Sequence, residues 1–256
     1  MEIKTILITQ ARKGSTRLPG KILKKVQGKQ LLRIHLERLK KCKAVDKIIV
    51  ATTTEAKDEE IANMVNNWGF DSFRGSENNV LDRYYQAVLD SNYKPNWIVR
   101  ITSDNPLIDP ELVDQVIEFA QLNNVDYVSN VFENQYPDGQ DVEVFKFSAL
   151  EKAWKEAKLD SEREHVTPYI RNNSDVLGGN LFSAKNFPCE KDFSNIRMTV
   201  DEELDFKVIE KLVSNLGTEK SWREYTQYII DNKLSEINAK IIRNEGYQKS
   251  LKNDLK

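Results

Sequence analysis

Four cations fall within the ten residues from Arg12 to Lys21, in the stretch Gln10-Ala11-Arg12-Lys13-Gly14-Ser15-Thr16-Arg17-Leu18-Pro19-Gly20-Lys21. Arg12, Lys13, Arg17 and Lys21 carry enough charge to neutralise a triphosphate, Arg through a planar bidentate fork and Lys as a movable point charge. Gly14 and Gly20 permit backbone conformations and close approaches that let successive N–H groups form an anion-binding concavity. The apolar run Ile6-Leu7-Ile8 precedes the loop. That places the cations at the C-terminal end of a buried strand, where open α/β sheets bind ligands. The spacing excludes a Walker A loop, because five residues separate Gly14 from Gly20 and Ile22 follows Lys21 where magnesium coordination needs Ser or Thr. It is not a dinucleotide fingerprint either. An exposed basic turn is the competing reading.

Carboxylates suited to a metal lie in two other stretches. Arg100-Ile101-Thr102-Ser103-Asp104-Asn105-Pro106-Leu107-Ile108-Asp109 puts Asp104 just past a second buried strand. Magnesium is held by one or two carboxylates together with substrate phosphates and water, so Asp104 is a candidate ligand. An Asx-turn before Pro106 is the alternative, and Asp109 reads as a helix cap. Pro106 stands where an Asp-x-Asp pattern would need its second acid, which tells against glycosyl transfer. Arg197-Met198-Thr199-Val200-Asp201-Glu202-Glu203 offers Asp201, which competes with a helix N-cap reading. Asp104 and Asp201 would clamp Mg²⁺ if the fold joined them.

Arg74-Gly75-Ser76 offers a turn and polar groups able to read a base edge and ribose. Asp141 and Glu143, alternating outward on a strand fed by the turn Tyr136-Pro137-Asp138-Gly139-Gln140, line an acceptor pocket or solvate one strand face. Ser161 and Glu164 fit a capping box, and His165 beside them reads either as a satisfied structural histidine, the commoner case for a lone His, or as a contact to an acceptor phosphate or carboxylate. His35 lies on an apolar helical face and reads as core. Two histidines without a paired Ser or Cys nucleophile disfavour triad chemistry and a zinc site.

The elements that must position these groups alternate in the rhythm of a mostly parallel sheet. Strands are expected over Thr5–Thr9, Lys47–Thr53, Phe70–Phe73, Trp97–Ile101, Val125–Val131 and Val142–Phe147, the last with the half-buried alternation that suits an antiparallel strand. Helices are expected around Leu31–Leu39, Ile61–Trp68 (ended by Gly69), Glu77–Ser91, from Pro110 to Phe119, from a Ser148–Glu151 capping box to Lys158, Leu204–Leu216 and Trp222–Ile230. The tail beyond Ser235 is Lys/Asn-rich with weak periodicity and reads as partly ordered or as an oligomer contact. The expected division is a domain over 1–235 and a tail over 236–256.

At 256 residues, 39% hydrophobic and net charge −2, the chain describes an ordinary globule with no global attraction to nucleic acid. Cys42 and Cys189 give neither a disulfide framework nor metal-site spacing. Met1-Glu2-Ile3-Lys4 lacks a leader pattern and no apolar run approaches spanning length, so no membrane partner and a cytoplasmic location are expected.

Taken in order, Gln10–Lys21, Phe73–Glu77, Val99–Pro110, Tyr136–Phe145, Glu162–Tyr169 and Arg197–Asp201 resemble the motifs of the spore-coat polysaccharide F (SpsF-like) cytidylyltransferases. The likeness runs from about residue 5 to about 215 and is similar, more distantly, to synthetases of CMP-KDO and CMP-sialic acid. It implies an α/β, Rossmann-like nucleotidyltransferase fold (GT-A-like): a three-layer sandwich with a small antiparallel dimerisation arm. It also implies CTP as donor, an anionic small-molecule acceptor, Mg²⁺ and a homodimer. By the resemblance, Ala11, Arg12, Gly14, Ser15, Arg17 and Lys21 fall in the triphosphate loop and Asp104 and Asp201 at the metal. Arg74, Gly75, Ser76 and Thr102 fall at the nucleotide, and Asp141, Glu164, His165 and Arg197 toward the acceptor. Lys13 stands where a hydrophobic residue is common and Asn105 where Cys is common. The expected reaction is cytidylyl transfer, with another nucleotide donor or a non-catalytic nucleotide-binding subunit as alternatives.

Overall fold

The alternating strand and helix signals close into one seven-stranded sheet in a computed structural model that describes residues 4–255. The reading of Met1 to Ile3 lies outside the described residues. The first half runs β1 (Thr5–Gln10), β2 (Lys25–Val26), β3 (Lys29–Gln30), α1 (Leu31–Leu39), β4 (Lys47–Thr53), α2 (Glu59–Asn67), β5 (Asp71–Gly75), α3 (Val80–Asp90), β6 (Trp97–Thr102) and α4 (Pro110–Asn123). The second continues with β7 (Tyr127–Ser129), β8 (Glu143–Lys146), α5 (Phe147–Glu156), α6 (Asp160–His165), α7 (Pro168–Asn172), β9 (Ala184–Asn186), α8 (Glu203–Leu216), α9 (Trp222–Asp231) and α10 (Glu245–Asp254).

The strand order is β5-β4-β1-β6-β8-β7-β9, and β8 alone runs against the rest, being antiparallel to both neighbours. Both faces are covered, which is why the strands read as continuous apolar runs. Ile6 and Ile8 of β1 pack with α3 and α5 on one face, while Leu7 packs with α1 and α4 on the other. The result is a three-layer α/β/α sandwich, with β2 and β3 as a separate small antiparallel pair. A further cluster joins Ile196, Met198 and Val200 to α8 and α9. Among the described residues no helix is long and apolar enough to cross a membrane.

The chain leaves β1 toward β4 on one side, while β6 pairs with β1 on the other, its Thr102 in register with Gln10. The loop after β1 and the loop after β6 therefore emerge side by side at a topological switch point, the crevice in which such sheets bind ligands.

Local hydrogen bonding moves several expected boundaries. The third helix starts at Val80 instead of Glu77 because the Asn79 side chain accepts from the Asp82 N–H at 2.9 Å. Asp109 caps α4 as expected, accepting from the Glu111 N–H at 3.0 Å, and its second oxygen takes the Trp222 N–H at 2.7 Å. The Ser148–Glu151 box does not form, since α5 has already begun at Phe147. Nor does the Ser161–Glu164 box: α6 starts at Asp160 with Leu159 as its N-cap, and Glu162 accepts from the Leu159 N–H at 3.0 Å. Glu143 is corrected outright. β8 lies between two strands under helices, so Glu143 is buried and bonds Arg100, the Tyr127 hydroxyl and the Thr167 hydroxyl.

His35 is core, as its apolar face suggests, lying 3.0 Å from Thr9 Oγ1 and 2.8 Å from the Asn105 carbonyl. Burial drives its pKa down to about 4 against the pull of that carbonyl and of Asp104. An unfolded histidine titrates near ~6.5, so as the pH falls the unfolded state takes up the proton first and stability drops. The urea midpoint should fall as the pH is lowered from about 6.5 to about 4, and His35→Gln should make that decline shallower.

Candidate active site

The loop after β1 is pinned at both ends. The Ala11 N–H donates to the Ala51 carbonyl at 3.1 Å, and Ile22 is buried in the core under β4. Gly20 adopts a left-handed φ of 67°, so glycine is required at the turn that delivers Lys21. The Lys13 N–H donates to Asp58 at 2.8 Å and its ammonium pairs with Glu60 at 2.7 Å. This lysine therefore braces the loop against α2. Ser15 accepts from the Leu18 N–H at 3.4 Å. Arg12 is exposed and makes no ion pair among the described residues.

Lys21 turns inward to the carboxylates. Its Nζ lies 2.8 Å from Asp104 Oδ2 and 2.8 Å from Asp201 Oδ1, with only 12% of the side chain exposed. Burial disfavours the ammonium, yet Asp104 and Asp201 outweigh it and hold its pKa raised. Burial likewise opposes ionisation of Asp201, but Lys21, Arg17 and Arg197 bring it down to about 2. Asp201 does not cap α8. Glu202 takes that position, and the Asp205 carboxylate accepts from the N–H groups of Asp201 and Glu202 at 2.9 and 3.0 Å. Asp201 is thereby left to face Lys21, with Arg17 at 3.1 Å from the same oxygen.

What brings Asp201 to Asp104 is the segment before it. The Val200 N–H donates to the Asp104 carbonyl at 2.8 Å and the Met198 N–H to the Asp138 carbonyl at 2.7 Å. Gly139 (φ 107°) admits this crossing, since a Cβ there would meet the Met198 carbonyl carbon at 2.7 Å. Arg197 is 7% exposed, and its guanidinium is taken by Asp205 (2.8 and 3.0 Å), Asp201 (2.9 Å) and Asp138. The structure thus spends Arg197 on holding Asp201, whereas the motif reading turned it toward an acceptor.

The remaining expected residues are dispersed. Arg74 donates to the carbonyls of Thr53, Thr54 and Glu55 at 3.0–3.1 Å, Gly75 passes close against Phe73, and Ser76 accepts from the Asn79 N–H at 3.0 Å. Those bonds fix the β5–α3 turn. Thr102 accepts from the Asn105 side chain at 3.1 Å. Asp141 pairs with Arg243 at 2.7 Å, Glu164 accepts from the Ser250 hydroxyl at 2.6 Å, and His165 Nε2 lies 3.1 Å from that hydroxyl. Burial, and after it the Arg100 charge, lowers His165 to about 4, so it is neutral near pH 7. The next residue, Val166, is buried at φ 74°, a strained conformation for a β-branched side chain. Arg243, Glu245 and Ser250 were not legible as site residues, because the tail that carries them shows only weak periodicity and no motif. The buried Arg100–Glu143 pair was likewise missed.

Asp104 and Asp201 suit a divalent cation chemically: two hard carboxylates meet at one cationic point, the protein half of a shell that phosphates and water complete. Among the described residues no group of three or more His, Cys, Asp or Glu side chains is placed to hold a metal without such help.

A sequence profile described as cytidylyltransferase matches residues 6–238. The spore coat polysaccharide biosynthesis protein SpsF of Bacillus subtilis is 34% identical over 219 residues, 83% of this chain and 87% of that protein. The structure of a cytidylyltransferase from Leptospira borgpetersenii superposes with a TM-score of 0.86 at 33% identity, covering 94% of this chain and all of that one. A CMP-2-keto-3-deoxy-manno-octonic acid synthetase complexed with CTP shares the fold at a TM-score of 0.58 and 16% identity, covering 82% and 98% of the respective chains.

Arg197 should matter to stability before it matters to turnover. Replacing it with Met leaves Asp205 and Asp138 buried without their partner, which costs about 3–5 kcal/mol, read as a lower urea midpoint.

Proposed function

The chain belongs to the cytidylyltransferase family, whose reaction moves CMP from CTP to an acceptor, and on that premise we propose that Lys21, Arg12 and Arg17 bind the triphosphate while Asp104 and Asp201 hold Mg²⁺. The observation that carries this reading is the meeting of Lys21 with both carboxylates at the switch point between β1 and β6. A cation already shared by two acids is poised to exchange one partner for phosphate. Exposed Arg12 supplies a charge that no protein acid has consumed among the described residues.

The reaction is attack by a hydroxyl or phosphate oxygen of an anionic acceptor, a sugar or small phosphorylated molecule, on the α-phosphate of CTP, with pyrophosphate leaving. Catalysis is then mainly positioning and charge stabilisation. Lys21, Arg12 and Arg17 neutralise charge that builds on the departing pyrophosphate. Magnesium, when bound at Asp104 and Asp201, supplies Lewis-acid polarisation of the phosphate oxygens. Arg197 and Asp205 keep Asp201 aimed at the cleft, and the backbone of the Arg74–Ser76 turn offers edges for the base. Asp141 and His165 lie on the acceptor side, His165 in the neutral form. We read the protein as a homodimer, for which the exposed apolar side chains Val176, Leu177 and Leu181 beside β9 offer contact surface.

Thermal unfolding with CTP, UTP, ATP and GTP, each with and without Mg²⁺, tests the reading. A CTP-selective and Mg²⁺-enhanced rise of about 5–10 °C is expected at about 100 times the dissociation constant. Lys21→Ala and Asp104→Ala should abolish that rise and lower pyrophosphate release by roughly 100-fold or more. Equal shifts with all four nucleotides, or parental behaviour of Lys21→Ala, would overturn it.

A further inference from the structure

The last helix crosses the site instead of trailing away from it. Beyond residue 238, where the family match ends, the chain brings Arg243 to Asp141 at 2.7 Å and then enters α10. Glu245, in the first turn of α10, lies 3.1 Å from Arg17 Nη1. Farther along the helix, Tyr247 packs edge-on against His165 with ring centres 5.1 Å apart, and Ser250 bridges Glu164 and His165. Asp254 closes the span by accepting from the Ser161 N–H at 3.1 Å. One short helix thus reaches from the phosphate loop to α6.

Two physical facts say how this helix is held. Its attachment is polar: Ser250 is its one buried residue among those described, and Leu251 and Leu255 remain exposed at 38% and 88%. A helix that buries little apolar surface opens at low free-energy cost. Its anchoring carboxylate, moreover, sits on a cation of the loop built for phosphate. Arg17 is paired with Glu245 and Asp201 at 3.1 Å each and with Glu202 at 3.8 Å. A phosphate brings more charge and a better-matched set of acceptor oxygens to a guanidinium than a carboxylate does. Glu245 would then face that phosphate with like charge.

We propose that α10 is a ligand-released strap: Glu245 occupies Arg17 as an internal stand-in for a phosphate group, and a nucleoside triphosphate displaces it and detaches the helix from the cleft. This rests on the phosphate-loop reading above. Displacement also frees the Asp141 and His165 side of the site, so the nucleotide opens the way for the acceptor.

The test compares the full-length parental protein with Glu245→Gln, which keeps the shape of the side chain and removes its charge. Titration calorimetry with CTP and with inorganic tripolyphosphate should show both ligands bound about three- to tenfold more tightly by the variant, since neither has to displace the Glu245 charge. Hydrogen exchange of amides 245–254 should speed up when CTP or tripolyphosphate saturates the parental protein. Equal affinities for the two proteins, or slower exchange of α10 in the bound state, would overturn the strap while leaving the nucleotide site standing. If neither protein binds CTP or tripolyphosphate, the nucleotide site is overturned, and the strap with it.

Discussion

A single ammonium shared by two carboxylates organises this protein. Lys21 comes from the loop after β1, Asp104 from the loop after β6 and Asp201 from the approach to α8, and the three meet at 2.8 Å contacts in a largely enclosed position. Such an arrangement is costly to assemble, because each charge gives up water and the acids repel one another. Here the cost is offset by supports that reach outward from the centre. Arg197 neutralises Asp201 from behind, Asp205 and Asp138 neutralise Arg197, and Asn238 donates to Asp205 at 2.9 Å. The network alternates in sign at every step, so no buried charge is left alone.

That alternation divides the cations by what they still have to give. Arg197, Arg74, Arg100 and Lys13 are committed to acids or carbonyls of the protein and act as struts. Lys21 and Arg17 are paired with acids at the mouth of the cleft, where a phosphate can compete for them, and Arg12 is exposed there. A list of basic residues near a ligand loop does not make this distinction. Partners and burial do, and they separate cations shared or exposed at the switch point from cations tied up in holding the structure.

The surroundings of Asp141, Glu164 and His165 are held by partners in the same way. Asp141 and His165 are half-buried, Asp141 against Arg243 and His165 against α10, while Glu164 is exposed and accepts from the Ser250 hydroxyl of that helix. The strain at Val166 sits between His165 and Thr167, whose hydroxyl reaches the buried Glu143. The conformation that aims these side chains is one the local sequence disfavours and the surrounding packing imposes.

Much was legible in the sequence because it is local. Buried strands announce themselves as apolar runs, Asp109-Pro110 starts a helix by its own hydrogen bonding, and Gly14 and Gly20 before Lys21 mark a loop. The position of that loop, at the end of a parallel strand, followed from the same pattern. Local signals also misled: Ser148–Glu151 and Ser161–Glu164 each spell a cap, but both helices start two residues earlier than those caps require, at Phe147 and Asp160. Only the tertiary structure decided that Asp201 is free of α8 and faces Lys21, that Glu143 points inward, that Arg197 is a strut, and that the tail returns to Arg17. Each of these depends on charges from distant parts of the chain choosing one another, and pairing energy across space leaves no periodicity along the sequence.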